Sequence, residues 1–177
     1  KVIKNFPDLK NILLSDVTGK YNTEELEIKF PNNKIYSVKA LNFPFETNYN
    51  YQDLGDDRIG LIVATLNKFP GQDCLVIDAG SCLTYDLISS KSVHLGGLIS
   101  PGLFMRFKSL SQYTSSLPHV NFQDKKREIG NDTQNSIQSG ILEGLIFEIN
   151  GQIDNFKRKT PNLKVILAGG DSKYLYK

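Results

Sequence analysis

The chain has 177 residues, enough for one sizeable domain or two small lobes with their own cores. With 40% hydrophobic and 23% charged residues it lies in the ordinary globular range, which excludes disordered and collagen-like classes. The net charge of +2 is spread along the chain and predicts no nucleic-acid or membrane partner, so any anionic ligand must be held by local groups.

The two cysteines, Cys74 and Cys82, sit in or beside apolar segments and lack metal-ligand spacing, so the reading expects reduced residues in a cytoplasmic protein. No apolar run approaches the roughly 20 residues that span a bilayer, and no signal-peptide pattern occurs. The chain begins at Lys1 and its single methionine is Met105, which places the expected natural start further upstream.

In chain order, residues 11–15 (NILLS) read as a short buried strand. Residues 23–30 read as a helix with Thr23 as N-cap, and 35–38 as another strand. Residues 41–54 mix aromatics, Asn and Pro without period and read as a loop, with Tyr49 and Tyr51 as possible pocket walls. From 56 to about 68, Ile59, Ile62, Val63 and Leu66 fall on one helical face that stops before Pro70-Gly71.

The period then changes to two. Residues 74–78, 83–88 and 93–99 read as three strands joined as antiparallel hairpins. Pro101 is expected at the N1 position of a helix carrying a stripe of Leu103, Phe104, Phe107 and Leu110. Residues 115–131 read as irregular, with the charged cluster at 124–128 as a solvated loop. A helix of five turns or more follows, capped near Asp132 or Thr133, and then a strand at 163–167 that breaks at Gly169-Gly170-Asp171. The change at Pro70-Gly71 predicts two α/β lobes, 1–70 and 71–177.

Four short motifs carry possible chemistry. In Asp78-Ala79-Gly80-Ser81-Cys82-Leu83-Thr84 a strand ends on an acid and turns at a glycine. Backbone N–H groups and the hydroxyls of Ser81 and Thr84 can cradle a phosphate there, while Asp78 faces a cation; a plain β-turn with an exposed acid is the alternative. Gly55-Asp56-Asp57-Arg58 places two carboxylates in a first helical turn, where they complement the helix dipole or supply a general base, with Arg58 as a fork for an anionic group. Gly96-Gly97 before Ser100-Pro101-Gly102 allows close approach of a ligand or a neighbouring segment. Gly169-Gly170-Asp171 offers flat backbone at a strand end. His94 and His119 are read as surface or packing residues.

In their order and spacing, these motifs, together with Thr114-x-x-Leu117-Pro118 and Gly130-Asn131-x-Thr133, resemble the type III pantothenate kinases. The resemblance implies the two ribonuclease-H-like lobes of the sugar kinase, Hsp70 and actin superfamily (the actin-like ATPase superfold), here with an incomplete first lobe. It implies ATP-dependent phosphorylation of pantothenate in coenzyme A synthesis by a homodimer that uses Mg2+ and potassium or ammonium. Asp57 would be the catalytic base, and Tyr49, Gly55, Asp56, Asp57, Arg58 and Thr133 would bind pantothenate. Asp78 would hold the monovalent cation, and Gly80 and Ser81 would contact ATP.

Two departures qualify that picture. Ser81 stands where the family usually has Thr, which retains the hydroxyl. The family's opening Asp-x-Gly-Asn-Thr/Ser motif does not occur before Asn11, so the first hairpin is expected to be missing, and if the physical protein lacks it too, the 177-residue chain is expected to be catalytically dead or nearly so. A non-catalytic regulatory relative on the same fold, or a phosphotransferase with another acceptor, are the alternatives.

Overall fold

The computed structural model describes residues 8–124 and 129–176, so part of the charged cluster expected at 124–128 lies outside the described residues. The chain opens with β1 (Asn11–Leu14), α1 (Thr23–Lys29) and β2 (Lys34–Ser37), and β1 and β2 pair in parallel as a two-stranded sheet. Burial of the first strand was expected and is not found. Among the described residues it pairs only with β2, and Leu13 is 59% exposed. The cap of α1 also differs by one residue: the Asn22 side chain accepts the Glu24 N–H at 2.9 Å, which makes Thr23 the first helical residue.

The segment expected as a loop contains β3 (Glu46–Thr47) and a 3-10 turn at Tyr51–Asp53. Two residues are too few to show a period, but β3 pairs in parallel with Val93 and His94 and so joins the main sheet. The helix α2 (Asp56–Lys68) keeps its expected bounds. Its two acids lie in the first turn, where they offset the dipole, and the Phe69 N–H closes its end on the Thr65 carbonyl.

Three strands follow, β4 (Cys74–Ala79), β5 (Cys82–Ile88) and β6 (Val93–Pro101), in the expected antiparallel order. Then come α3 (Leu103–Tyr113), the 27-residue α4 (Thr133–Lys159), β7 (Lys164–Ala168) and the short α5 (Ser172–Leu175). The five-stranded sheet runs β3-β6-β5-β4-β7, with β7 parallel to β4. Asp132 caps α4 by accepting the Asn135 N–H at 2.8 Å, and Thr133 opens the helix.

Pro101 was expected inside a helix and is instead the last residue of β6, paired with Cys82. The reason is the glycine after it. A Cβ on Gly102 would come within 2.1 Å of the Gly80 carbonyl oxygen and 2.5 Å of that of Ser81. The strand therefore continues until the chain has passed beneath the 79–82 turn. Within the expected stripe, Leu103 and Phe107 are buried while Phe104 is half exposed.

The sheet is covered on both faces, which explains why β4 reads as a continuous apolar run. Leu75, Ile77, Leu83 and Tyr85 point toward α3 and α4, where they meet Phe107, Ile137, Ile141 and Leu145. Cys74, Val76 and Ile88 point the other way, toward Ile59 and Ile62 of α2. Both cysteines are free, Cys74 buried and Cys82 partly so. Among the described residues no helix is long and apolar enough to cross a membrane.

Candidate functional site

The register of β4, β5 and β6 decides which polar side chains meet. Asp78 pairs with Thr84, Thr84 with Ile99, and Asp86 with Val76 and Gly97. Because side chains alternate along a strand, Asp78, Thr84 and Asp86 all lie on the face covered by α2. The N-terminus of α2 brings Asp57 and Arg58 to that same face.

Asp57 is exposed, and its Oδ1 accepts the N–H of Arg58 at 2.8 Å. Gly55 gives this carboxylate room, since a Cβ there would lie 2.6 Å from Asp57 Oδ1. Asp78 is half-buried at the end of β4. Burial, then the negative charges of Asp57 and Asp86, push its carboxyl above the ordinary range, so three carboxylates share one electrostatic neighbourhood. The Thr84 hydroxyl beside it is buried without a hydrogen-bond partner among the described residues.

A glycine after β7 brings a backbone segment against this carboxylate. Gly169 has φ +90°, and a Cβ there would lie 2.4 Å from Asp78 Oδ1 and 2.2 Å from the Ala79 oxygen. The Asp171 N–H then donates to the Ala79 carbonyl at 2.9 Å. In the 79–82 turn, the Gly80 N–H is spent on the Cys82 carbonyl at 3.0 Å, so Gly80 contributes room rather than a free amide; Ser81 is exposed.

Arg58 was read as an open fork, but its side chain is buried and already engaged. Nε lies 3.2 and 3.1 Å from the two oxygens of Asp86, and Nη2 lies 2.7 Å from Oδ1. The Tyr49 ring lies 5.1 Å from the guanidinium carbon. Burial pushes the Asp86 carboxyl up, but hydrogen bonds from His94 and Arg58 and their charge outweigh it and hold the group below the usual carboxylate range. Gly97 makes the pair possible, because a Cβ there would fall 2.7 Å from Arg58 Nη2 and 3.0 Å from Asp86 Oδ1. The close approach expected at Gly96-Gly97 is that of a neighbouring segment.

Asp56 and Thr133 stand apart from this cluster. Asp56 is buried and turns toward the segment after β1, where its Oδ2 accepts the Asp16 N–H at 2.9 Å. Thr133 opens α4, on the opposite face of the sheet from α2. It lines a cavity of about 780 Å³ with Arg106, Asn131 and Asp132. Within one chain, Asp57, Arg58, Tyr49 and Asp78 are therefore brought together and Thr133 is not.

Sequence reading missed Asp86, Thr47 and the role of His94, which is fully buried. One signal was available: Asp86 is an acid inside the apolar run Leu83 to Ile88, at an inward position of an alternating strand.

A helix-borne carboxylate beside a second carboxylate at a glycine-lined strand end is the architecture of an α/β phosphotransferase. The chain matches the family model of type III pantothenate kinase over residues 4–155. It is 42% identical over 177 residues to the type III pantothenate kinase of Christiangramia forsetii, covering 97% of this chain and 71% of that protein. The same-named protein of Flavobacterium johnsoniae is 35% identical over 178 residues, covering 100% and 73%. A crystal structure from Campylobacter jejuni, described as a Baf family transcriptional activator, aligns at TM-score 0.60 and 26% identity over 98% of this chain and 75% of that one. The chain belongs to the type III pantothenate kinase family.

Proposed function

We propose that the protein transfers the γ-phosphoryl group of ATP to the primary hydroxyl of pantothenate, giving 4'-phosphopantothenate for coenzyme A synthesis in the cytoplasm. The observation that carries this reading is Asp57, an exposed carboxylate on a helix N-terminus beside the half-buried Asp78. Phosphoryl transfer needs positioning and charge neutralisation more than covalent help. Asp57 accepts the proton of the attacking hydroxyl; Tyr49 and Arg58 form the wall behind the acceptor, and Gly55 keeps the approach open. The turn at Gly80 and Ser81 receives the phosphates, with Ser81 donating its hydroxyl. In this scheme Asp56 supports the acceptor site by holding the 16–17 segment.

The residues present fit a cation at Asp78. Asp57, Asp78 and Asp86 are offset by the single guanidinium of Arg58, and the orphaned Thr84 hydroxyl adds an oxygen ligand. Potassium or ammonium held by Asp78, with Mg2+ on the nucleotide, would supply charge neutralisation for the phosphates. The sign of the Asp78 shift gives a test. Its folded-state carboxyl titrates above the ordinary carboxylate value, so ionisation at neutral pH costs stability, a cost absent below the ordinary value and growing as pH rises toward and through the folded one. Asp78→Asn is therefore expected to melt at or above wild type in potassium-free buffer and to lose the stabilisation that added potassium gives wild type. Equal stabilisation of both proteins by potassium would remove Asp78 from the site.

In this reading residues 71–177, with β3 and α2 packed onto them, form the second ribonuclease-H-like lobe, and β1, α1 and β2 belong to the first. Thr133 reaches an acceptor site only if a second copy brings it there, which supports a homodimer. The β6 segment beyond His94 is unpaired on one side and exposes Leu95, Leu98 and Ile99 beside Phe104 and Met105, a surface suited to such a contact. A coupled ADP-release assay with ATP, Mg2+ and potassium tests the whole: turnover is expected only when pantothenate is added. Release of ADP with another small alcohol but not with pantothenate would reassign the acceptor. The similarity to the Campylobacter jejuni protein favours a second reading, a regulatory module on this fold, and absence of turnover on any acceptor would support it.

A further inference from the structure

The polar contacts around Arg58 close into a circuit that starts and ends at Tyr49. The Tyr49 N–H donates to Thr47 Oγ1 at 3.0 Å, Thr47 Oγ1 lies 2.8 Å from His94 Nδ1, and His94 Nε2 lies 2.8 Å from Asp86 Oδ1. Asp86 takes Nε and Nη2 of Arg58, whose guanidinium lies over the Tyr49 ring. The direction of the bonds to Asp86 follows from the donors. A carboxylate only accepts, so His94 Nε2 carries the proton given to Asp86. Thr47 Oγ1 accepts from Tyr49 and keeps both a proton and a second lone pair for the contact with Nδ1. Both ring nitrogens of His94 are used, and the negative charge of Asp86 faces the positive charge of Arg58.

We infer that Thr47, His94 and Asp86 are positioning residues that fix Arg58 and Tyr49 relative to each other and thereby set the affinity of the acceptor site. The inference rests on the reading of Arg58 and Tyr49 as acceptor-side residues. Three strands and one helix contribute: Thr47 from β3, His94 from β6, Asp86 from β5 and Arg58 from α2. Side-on pairing with Asp86 uses Nε and Nη2, and the guanidinium is held against the Tyr49 ring. A shift of Arg58 along the Tyr49 face would displace the wall that the two side chains form together, and small misplacements in such sites carry large costs.

Thr47→Val in the intact protein removes the hydroxyl with little change of shape, and Thr47→Ser restores it. The expected result for Thr47→Val is a rise in KM for pantothenate of about fivefold to tenfold, the worth of one hydrogen bond. KM for ATP and kcat should stay within about twofold, and Thr47→Ser should return KM for pantothenate toward wild type. Asp86→Asn should raise the same KM further if it folds; Thr47→Val decides the matter if it does not. A lower melting temperature for Thr47→Val with both KM values unchanged would make the circuit merely structural and overturn the inference. Arg58→Lys distinguishes the underlying reading: if that variant leaves KM for pantothenate unchanged, Arg58 is not an acceptor-side residue and the inference falls with it.

Discussion

Asp57→Asn is expected to cut phosphoryl transfer severely while leaving ATP bound. The expected loss in kcat is about 10²–10⁴-fold, the usual contribution of a positioned general base. Asparagine keeps the shape of the side chain and an oxygen able to accept the Arg58 N–H, so the first turn of α2 persists. Because Asp57 is exposed, the exchange should leave the melting temperature close to wild type. One secondary effect follows from the charge map. Asp57 contributes to the upward shift of Asp78, so its neutralisation should lower that carboxyl toward its ordinary value. Nucleotide binding measured by titration calorimetry, beside turnover by ADP release, separates the roles. A variant with retained kcat and weakened ATP binding would move Asp57 from the acceptor to the nucleotide.

The same helix shows what a linear reading can and cannot reach. Its length, its buried Ile59 and Ile62, and its stop at Phe69 were all legible, because hydrophobic period and terminators are local properties. The three hairpin strands were legible for the same reason. What the sequence hid was direction. Asp56, Asp57 and Arg58 are consecutive, yet one turns to the Asp16 segment, one to solvent and one into the sheet, since successive helical residues point about 100° apart. Which of them meets Asp86 depends on how α2 lies across β5, and no local pattern encodes that crossing.

The glycines show the same limit. Gly97 was readable as a place of close approach, but whether ligand or protein approaches is decided by Arg58, which is 39 positions earlier in the chain. Pro101 misled because a proline before an amphipathic run is a common helix start. The competing requirement, passage of Gly102 beneath the 79–82 turn, belongs to the tertiary structure. Thr133 was legible as part of a motif, yet its place on the far side of the sheet emerges only from packing, and that separation turns a list of site residues into an argument for a second copy.

Arg58→Met is expected to destabilise the protein by about 3–5 kcal/mol at neutral pH, the cost of leaving a buried carboxylate without its partner. Only 4% of Arg58 and 1% of Asp86 is exposed, so water cannot take over the solvation of Asp86. The pH dependence follows from the directions of the shifts. In wild type the folded-state carboxyl of Asp86 titrates below its unfolded value, so the stability it contributes is present at higher pH and is lost as pH falls through the folded value. Without Arg58 burial opposes His94 alone and pushes the carboxyl upward, so the variant gains stability as it takes up a proton on acidification. The gap between the two proteins therefore narrows toward acid from both sides. Adding Asp86→Leu to Arg58→Met removes the stranded charge and should restore much of the loss, giving a large coupling energy in the double-mutant cycle. Urea unfolding of the four proteins at pH 7.5 and at a pH below 3.8, the ordinary carboxylate value, measures both effects. A deficit independent of pH and additive between the two substitutions would mean that packing of the Arg58 stem on Tyr49, rather than its charge, holds α2 to the sheet.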